Sequence, residues 1–145
     1  MHRTHGPGRD CPGPLSFHGY ATRMSTHRQS FEEFKRNRAA GQQRLMGVDH
    51  LGIKRFLRLD SATYEDAVDA GGLDPKTKEL LGLVASAVLR CDDCINYHLE
   101  QCVKTGSTVK QIEDALNVAL VVGGSIVIPH MRRALLTLDE ITAGS

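Results

Sequence analysis

Two cysteines and a histidine stand close together near the middle of this chain, in the segment 91–98, which reads CDDCINYH. Cys91 and Cys94 are three positions apart, and His98 follows four positions after Cys94. In a helix, residues three and four positions apart share one face, so the three side chains would be neighbours. A cysteine pair with a base in reach is the minimal equipment for thiol–disulfide chemistry. The segment is therefore the leading candidate for a redox site.

Zinc ligation is the first alternative, because the spacing from Cys91 to Cys102 superficially resembles a ligand series. A single helix over those residues would be about 16 Å long at ~1.5 Å per residue. Zinc ligands all lie within ~2.0–2.3 Å of one metal ion. We therefore predict no metal site, and no bound cofactor. The second alternative is purely structural, with small side chains buried on a core helix; we accept it for Cys102 and leave it open for the other three residues.

The surroundings of the two thiols act on their pKa in opposite directions. A helix N-terminus near Cys91 and Cys94 would stabilise a thiolate through free N–H groups and the positive end of the helix dipole. Asp92 and Asp93 place negative charge beside the thiols and should raise their pKa. We expect at least one of these carboxylates to cap the helix and point away. His98, one turn after Cys94, can accept the thiol proton.

A histidine that acts as a base needs an orienting partner, and the preceding helix offers Glu79. If the two helices pack antiparallel with their turn near residues 88–89, Glu79 and His98 are equally distant from that turn. The two side chains would then face each other. An exposed Glu79 paired with Lys76 or Lys78 is the competing interpretation, and the sequence alone does not separate the two.

The remaining pattern predicts an all-α fold, a compact bundle of about five to six helices. Each predicted helix rests on apolar periodicity and on residues typical of helix ends. The expected helices run over about 27–46, over 49–64 with Asp49 as cap, from Asp74-Pro75 through 88, over the cysteine segment to Gly106, from Ser107 or Thr108 to Gly123-Gly124, and over 125–141 with Ser125 as cap. The last three helices are too apolar for a monomer, so we predict a homo-oligomer.

Residues 1–24 differ from the rest of the chain, because they are rich in glycine and proline and lack a helical period. We predict a disordered N-terminal extension there, followed by one helical domain over residues 25–145. The net charge of +1 gives no reason to propose a nucleic acid or a membrane as partner. The N-terminus shows no apolar core of a signal peptide, so we place the protein in the cytoplasm, where a cysteine pair is more often catalytic or metal-binding than structural.

Glu79, followed twelve positions later by Cys91-x-x-Cys94-x-x-x-His98, resembles the signature of the AhpD-like alkylhydroperoxidases, which belong to the carboxymuconolactone decarboxylase superfamily. The similarity extends from about residue 45 to residue 141 and includes the helix start at residues 74–75 and the glycine pair before the closing helix. One departure is Asp93, because the best-characterised pattern has a histidine between the two cysteines.

The resemblance implies an AhpD-like helical fold that assembles as trimers or hexamers, and a thiol-dependent peroxidase activity. Cys94 would attack a hydroperoxide to give a sulfenic acid, and Cys91 would resolve it to the Cys91–Cys94 disulfide. A dithiol protein or a small thiol would then reduce that disulfide. His98, oriented by Glu79, would relay protons to Cys94. Two alternatives are a carboxymuconolactone decarboxylase-type enzyme acting on a cyclic carboxylate and a non-enzymatic helical oligomer that senses redox state.

Overall fold

The computed structural model describes residues 29–144, which form six α-helices and two short 3₁₀ turns. The α-helices are α1 (Phe31–Met46), α2 (Leu51–Thr63), α3 (Pro75–Val88), α4 (Asp92–Lys104), α5 (Val109–Gly123) and α6 (Ile128–Ala143), and the 3₁₀ turns are Val68–Ala70 and Ser125–Val127. No strand occurs between residues 29 and 144, so the all-α prediction is confirmed. The predicted N-terminal extension, residues 1–24, lies outside the described residues, and the domain boundary stays a prediction.

Helix α3 lies at the centre of the bundle. It packs against both α4 and α5, and α6 packs on α4. The largest side chains that are almost completely buried come from α3, α4, α5 and the turn before α6: Leu83, Ile95, Leu99, Cys102, Ile112, Leu116 and Val127. Each large apolar side chain buried in this way stabilises the fold by roughly 1.5–3 kcal/mol. The core therefore fixes α3 and α4, the two helices that carry the candidate site.

Helices α1 and α2 are attached differently from the other four. Helix α1 reaches the core through Phe31 and Phe34, whose rings stack on each other. Helix α2 has no buried residue, and its Phe56 and Leu59 are exposed. None of the helices in the range 29–144 is long and apolar enough to cross a membrane.

Two predicted helix starts are confirmed. The Asp74 carboxylate accepts a hydrogen bond from the backbone N–H of Thr77 at 2.7 Å, and Pro75 occupies the first turn of α3. This N–H is the main reason that the pKa of Asp74 is lowered. Thr108 caps α5 in a capping box with Gln111, in which each side chain accepts from the backbone of the other residue.

The predicted start of α1 is several residues too early, and the predicted cap of α2 lies one residue before the real one. Helix α1 begins at Phe31 because the Ser30 hydroxyl accepts from the N–H of Glu33 and caps the helix there. Helix α2 begins after His50, whose ring nitrogen accepts from the backbone at Ile53. Asp49, the predicted cap, instead forms a salt bridge with Lys54.

The predicted cap of α6 is also wrong. Gly124 has a φ of +74°, a left-handed conformation that favours glycine, and it redirects the chain after α5. Residues 125–127 then form a 3₁₀ turn, and α6 begins at Ile128 without a side-chain cap. Pro129 lies in the first turn of α6, where its missing N–H leaves no hydrogen bond unmade.

Candidate active site

The cysteine pair lies immediately after a tight exit from α3. Arg90 has a φ of +61°, and its N–H donates to the Ala87 carbonyl, while the N–H of Cys91 donates to the Ser86 carbonyl. This pair of hydrogen bonds is a Schellman motif, in which a non-glycine residue takes the left-handed position at some conformational cost. The motif places Cys91 directly at the start of α4, where it is joined to Cys94 by a disulfide bond.

The sulfur of Cys91 caps α4. It accepts the backbone N–H of Cys94 at 3.3 Å, so the predicted helix N-terminus at the two thiols is present. The expectation that Asp92 or Asp93 would cap the helix is wrong, because the sulfur occupies that position. Asp92 instead contacts α6, and Asp93 is exposed beside a cleft.

The cleft has a volume of about 520 Å³ and lies between α1, the end of α2 and the first turns of α4. Cys94 and His98 both line it, together with Tyr64 and Tyr97. Cys94 is exposed, whereas Cys91 is half-buried and does not line the cleft. A molecule in the cleft can therefore reach the sulfur of Cys94 first.

His98 is held by Glu79, as the register of two antiparallel helices predicts. The Nδ1 atom of His98 lies 2.7 Å from Oε2 of Glu79, and the two residues are only 8% and 5% exposed. The competing interpretation, an exposed Glu79 paired with a lysine, is wrong. Because a carboxylate only accepts, the hydrogen of a neutral imidazole lies on Nδ1. Nε2 then keeps the lone pair that a base requires.

Two tyrosines flank the imidazole. The ring centroids of Tyr64 and Tyr97 lie 5.5 Å and 5.1 Å from that of His98. Burial, and then the negative charge of Glu79, raises the pKa of both phenols. Both tyrosines therefore carry their protons at neutral pH and can donate hydrogen bonds in the cleft. Arg38 from α1 lies 4.1 Å over the ring of Tyr97 and lowers the pKa of that tyrosine in part.

Gly82 is a site residue that the sequence analysis missed. A Cβ at position 82 would lie 2.5 Å from Cε1 of His98, 2.8 Å from its Nδ1 and 2.8 Å from the hydroxyl of Tyr64. The ring of His98 and the tip of Tyr64 thus occupy the space that a side chain would take. A glycine inside an otherwise apolar helix was the available signal, because such a residue costs helix stability and usually has a packing reason.

Cys102 lies in the core, as its predicted structural role requires. It is fully buried, and burial, followed by the charge of Glu79, raises the pKa of its thiol to about 12. A thiol in this state is not a nucleophile at neutral pH. Within residues 29–144, no group of three or more His, Cys, Asp or Glu side chains is arranged to hold a metal ion.

Sequence comparison places these residues inside a known family pattern. The profile of the carboxymuconolactone decarboxylase family matches residues 54–137, a stretch that contains Glu79, both cysteines of the disulfide and His98. A relative from Paracoccus denitrificans, the uncharacterized protein 4 in the cox locus, is 34% identical over 86 residues, which are 59% of this chain and 74% of that protein.

Structural comparison gives the same grouping. A crystal structure from Thermotoga maritima is 51% identical, with a TM-score of 0.71, over 77% of this chain and 91% of that chain. It is a carboxymuconolactone decarboxylase family protein for which a role in the antioxidative response is suggested. A Legionella pneumophila protein of the same family, 24% identical over 77% of this chain and 96% of that chain, has a TM-score of 0.68 and shares the fold.

Proposed function

This chain belongs to the carboxymuconolactone decarboxylase family, and from that premise we propose that it is a thiol-dependent peroxidase that reduces hydroperoxides through Cys91 and Cys94. One observation carries the proposal: an exposed, disulfide-bonded cysteine shares a cleft with a histidine that a buried glutamate orients. The role suggested for the Thermotoga maritima relative, in the antioxidative response, supports the same kind of chemistry.

In the oxidative half of the reaction, Cys94 is the nucleophile. His98 takes the thiol proton, and the Cys94 thiolate attacks the distal oxygen of the hydroperoxide ROOH. The O–O bond breaks, Cys94 becomes a sulfenic acid, and the alkoxide leaves as ROH with the proton from His98. The Cys91 thiol then attacks the sulfenic sulfur, which releases water and forms the Cys91–Cys94 disulfide.

In the reductive half, a dithiol attacks the disulfide. Its thiolate reaches the exposed sulfur of Cys94, and Cys91 leaves as a thiolate. The N–H of Cys94, which lies 3.3 Å from the sulfur of Cys91, stabilises that leaving group. The second thiol of the reductant then attacks this mixed disulfide and displaces the Cys94 thiolate, and the reductant leaves as its own disulfide. A dithiol protein or small dithiol is therefore the partner that we propose.

Assembly into a homo-oligomer is part of the same proposal. Proteins of this family are often oligomeric. Several apolar side chains at the end of α5 and in the turn after it are exposed in the single chain: Val118, Val121, Val122 and Ile126. Apolar surface of this kind is typical of protein contacts.

The test is a stopped-flow titration of the reduced protein with hydrogen peroxide and with an organic hydroperoxide, which follows the loss of thiols. We expect oxidation much faster than that of free cysteine at the same pH. Cys94→Ser should lower peroxide turnover by about a thousandfold or more, because the nucleophile is gone. Cys91→Ser should stop the cycle at a sulfenic acid or a mixed disulfide on Cys94. Cys102→Ala, which removes a thiol from the same helix outside the cleft, is the matched control and should keep turnover.

Three outcomes would contradict the proposal. Equal peroxide consumption by the wild type and Cys94→Ser would exclude Cys94 as the nucleophile. Activity on a cyclic carboxylate that survives alkylation of all thiols would favour a decarboxylase. Reversible formation of the Cys91–Cys94 disulfide without turnover in the presence of a dithiol would favour a redox sensor.

A further inference from the structure

Asp92 lies between the two cysteines in sequence, yet its carboxylate is bound by side chains of α6. Nη2 of Arg133 lies 3.2 Å from Oδ1 and 3.0 Å from Oδ2 of Asp92. Nδ1 of His130 lies 2.8 Å from Oδ1 of the same carboxylate. These contacts join the first turn of α4, which carries the disulfide, to α6 at a sequence separation of 38 and 41 residues.

The chemistry of the three groups favours the carboxylate at the centre of the cluster. Nδ1 of His130 also lies 2.9 Å from Nη2 of Arg133. A guanidinium only donates and a carboxylate only accepts, so Nδ1 serves one of these two neighbours at a time, whereas Arg133 can bind Asp92 in either case. Nε of Arg133 is buried without a hydrogen-bond partner among residues 29–144. The side chain therefore bears a desolvation cost in the position from which it reaches Asp92.

We propose that Arg133, assisted by His130, is a positioning residue for the redox pair: it holds the Asp92 carboxylate on α6 and offsets its negative charge beside Cys91 and Cys94. Without this cation, the carboxylate would oppose the formation of a thiolate on either cysteine. With it, the helix N-terminus can stabilise a thiolate, as the N–H of Cys94 does for the sulfur of Cys91. The inference rests on the proposed thiol chemistry, but it requires only a dithiol–disulfide cycle, whatever the oxidant.

Other charged or titratable groups also lie around the pair and stay constant in the comparison. Those on α4, beside it or along the cleft are Arg90 before α4, Asp93, Tyr97 and His98 on α4, Glu79 on α3, Arg38 on α1, and Asp60 and Tyr64 at the end of α2. The experiment therefore changes Asp92 and Arg133 and compares the direction in which each change moves the pKa of the thiols.

The two partners of the salt bridge give opposite predictions. Arg133→Met leaves Asp92 uncompensated, so the more acidic thiol of the pair should have a pKa higher by about half a pH unit. Asp92→Asn leaves Arg133 uncompensated, so that pKa should fall by about the same amount. The pKa is measured from the pH dependence of alkylation or of thiolate absorbance in the reduced protein.

The equilibrium with glutathione provides the second measurement. Two glutathione molecules reduce the disulfide and leave as oxidised glutathione, at a pH above the thiol pKa. We expect the equilibrium constant for reduction to fall about threefold in Arg133→Met and to rise about threefold in Asp92→Asn. A tenfold change in this constant corresponds to ~30 mV in the reduction potential of the disulfide. A contact with only a structural role would move both variants in the same direction, because each of them breaks it.

Three further variants complete the design. Arg133→Lys keeps the charge and should restore values close to the wild type. The double variant Asp92→Asn with Arg133→Met removes both charges and should also return close to the wild type. Arg132→Met, which removes the same charge from an exposed neighbouring position of α6, should change neither measurement.

Shifts of the same sign in the two single variants, or an Arg132→Met effect as large as that of Arg133→Met, would overturn the inference. The proposed peroxidase activity can fail independently, since none of these measurements uses a peroxide.

Discussion

Helices α3 and α4 bury the Glu79–His98 pair of the candidate site, whereas α2 reaches the same cleft without burying any of its own residues. Glu79 and His98 meet in the interior, next to the fully buried Leu83 and Leu99. The contribution of α2 and its C-terminal end to the cleft is Asp60 and Tyr64. One wall of the cleft is thus part of the core, and the opposite wall is only loosely attached to it.

The two walls of the cleft serve different functions, proton transfer and access to the sulfur. Proton transfer requires fixed geometry between a base and its orienting group, and the core supplies that rigidity at Glu79 and His98. Access of a substrate and of a reductant requires room, and a wall with few buried apolar contacts can move at low cost. Changes in α3 should therefore cost much more than changes of similar size in α2.

Among the changes that touch His98, the largest expected loss of stability comes from adding a single carbon atom to α3. Gly82→Ala would place a methyl group against the ring of His98 and the hydroxyl of Tyr64, so that the ring which Glu79 holds would have to shift. We expect the free energy of unfolding to fall by about 2 kcal/mol, as is typical of overpacking, and peroxide turnover to fall with it. Chemical denaturation and stopped-flow turnover measure the two effects.

Gly41→Ala is the matched control for this prediction. Gly41 lies inside α1, and a Cβ there would meet nothing within 4 Å. Alanine should therefore stabilise the protein by up to about 1 kcal/mol through its higher helix propensity. If Gly82→Ala were as stable as the wild type, the packing of His98 against α3 would not limit this position.

Glu79→Gln tests whether the Glu79 carboxylate orients His98, and we expect the next largest effect from this variant. The amide has nearly the shape of the carboxylate but lacks its charge, and its NH2 group can donate to Nδ1 and favour the wrong tautomer of His98. We expect turnover to fall about tenfold or more, equivalent to ~1.4 kcal/mol in the barrier, with a smaller loss of stability. The measurement is the pH profile of peroxide turnover.

The control for Glu79→Gln is Glu100→Gln on α4. Glu100 does not line the cleft and forms a salt bridge at 3.1 Å with Lys104, whose side chain is exposed, so the pair contributes little to stability. Its replacement should leave the pH profile unchanged. An unchanged profile in Glu79→Gln as well would show that His98 does not depend on Glu79 for its protonation state.

The parts of the molecule that the sequence predicted depend on local signals or on simple helix geometry. The Asp74-Pro75 start and the Thr108 cap are set by residues within one turn of the helix end. The contact between Glu79 and His98 follows from equal distances to a short turn in an antiparallel pair. These features need no knowledge of which further helices pack nearby.

The parts that the sequence did not predict depend on helices that are distant along the chain. The requirement for glycine at position 82 arises because the ring of His98 on α4 and the hydroxyl of Tyr64 at the end of α2 both occupy the space beside it. Asp92 or Asp93 was expected to cap α4, but the partner of Asp92, His130, lies 38 positions away on α6. The sulfur of Cys91 caps α4 because Cys91 is the residue immediately before the helix and accepts the N–H of Cys94.

The smallest expected effect lies on the loosely attached wall. Phe56 on α2 is 65% exposed, so Phe56→Ser should change the free energy of unfolding of the single chain by no more than about 0.5 kcal/mol. Leu83→Ala, in the fully buried centre of α3, should cost roughly 2–5 kcal/mol in the same measurement. Denaturation at two protein concentrations distinguishes packing within one chain from contact between copies of the chain. A loss of stability in Phe56→Ser that appears only at the higher concentration would place α2 in a contact between copies. A cost equal to that of Leu83→Ala at both concentrations would show that α2 packs on the core of its own chain, and the contrast between the two walls would be lost.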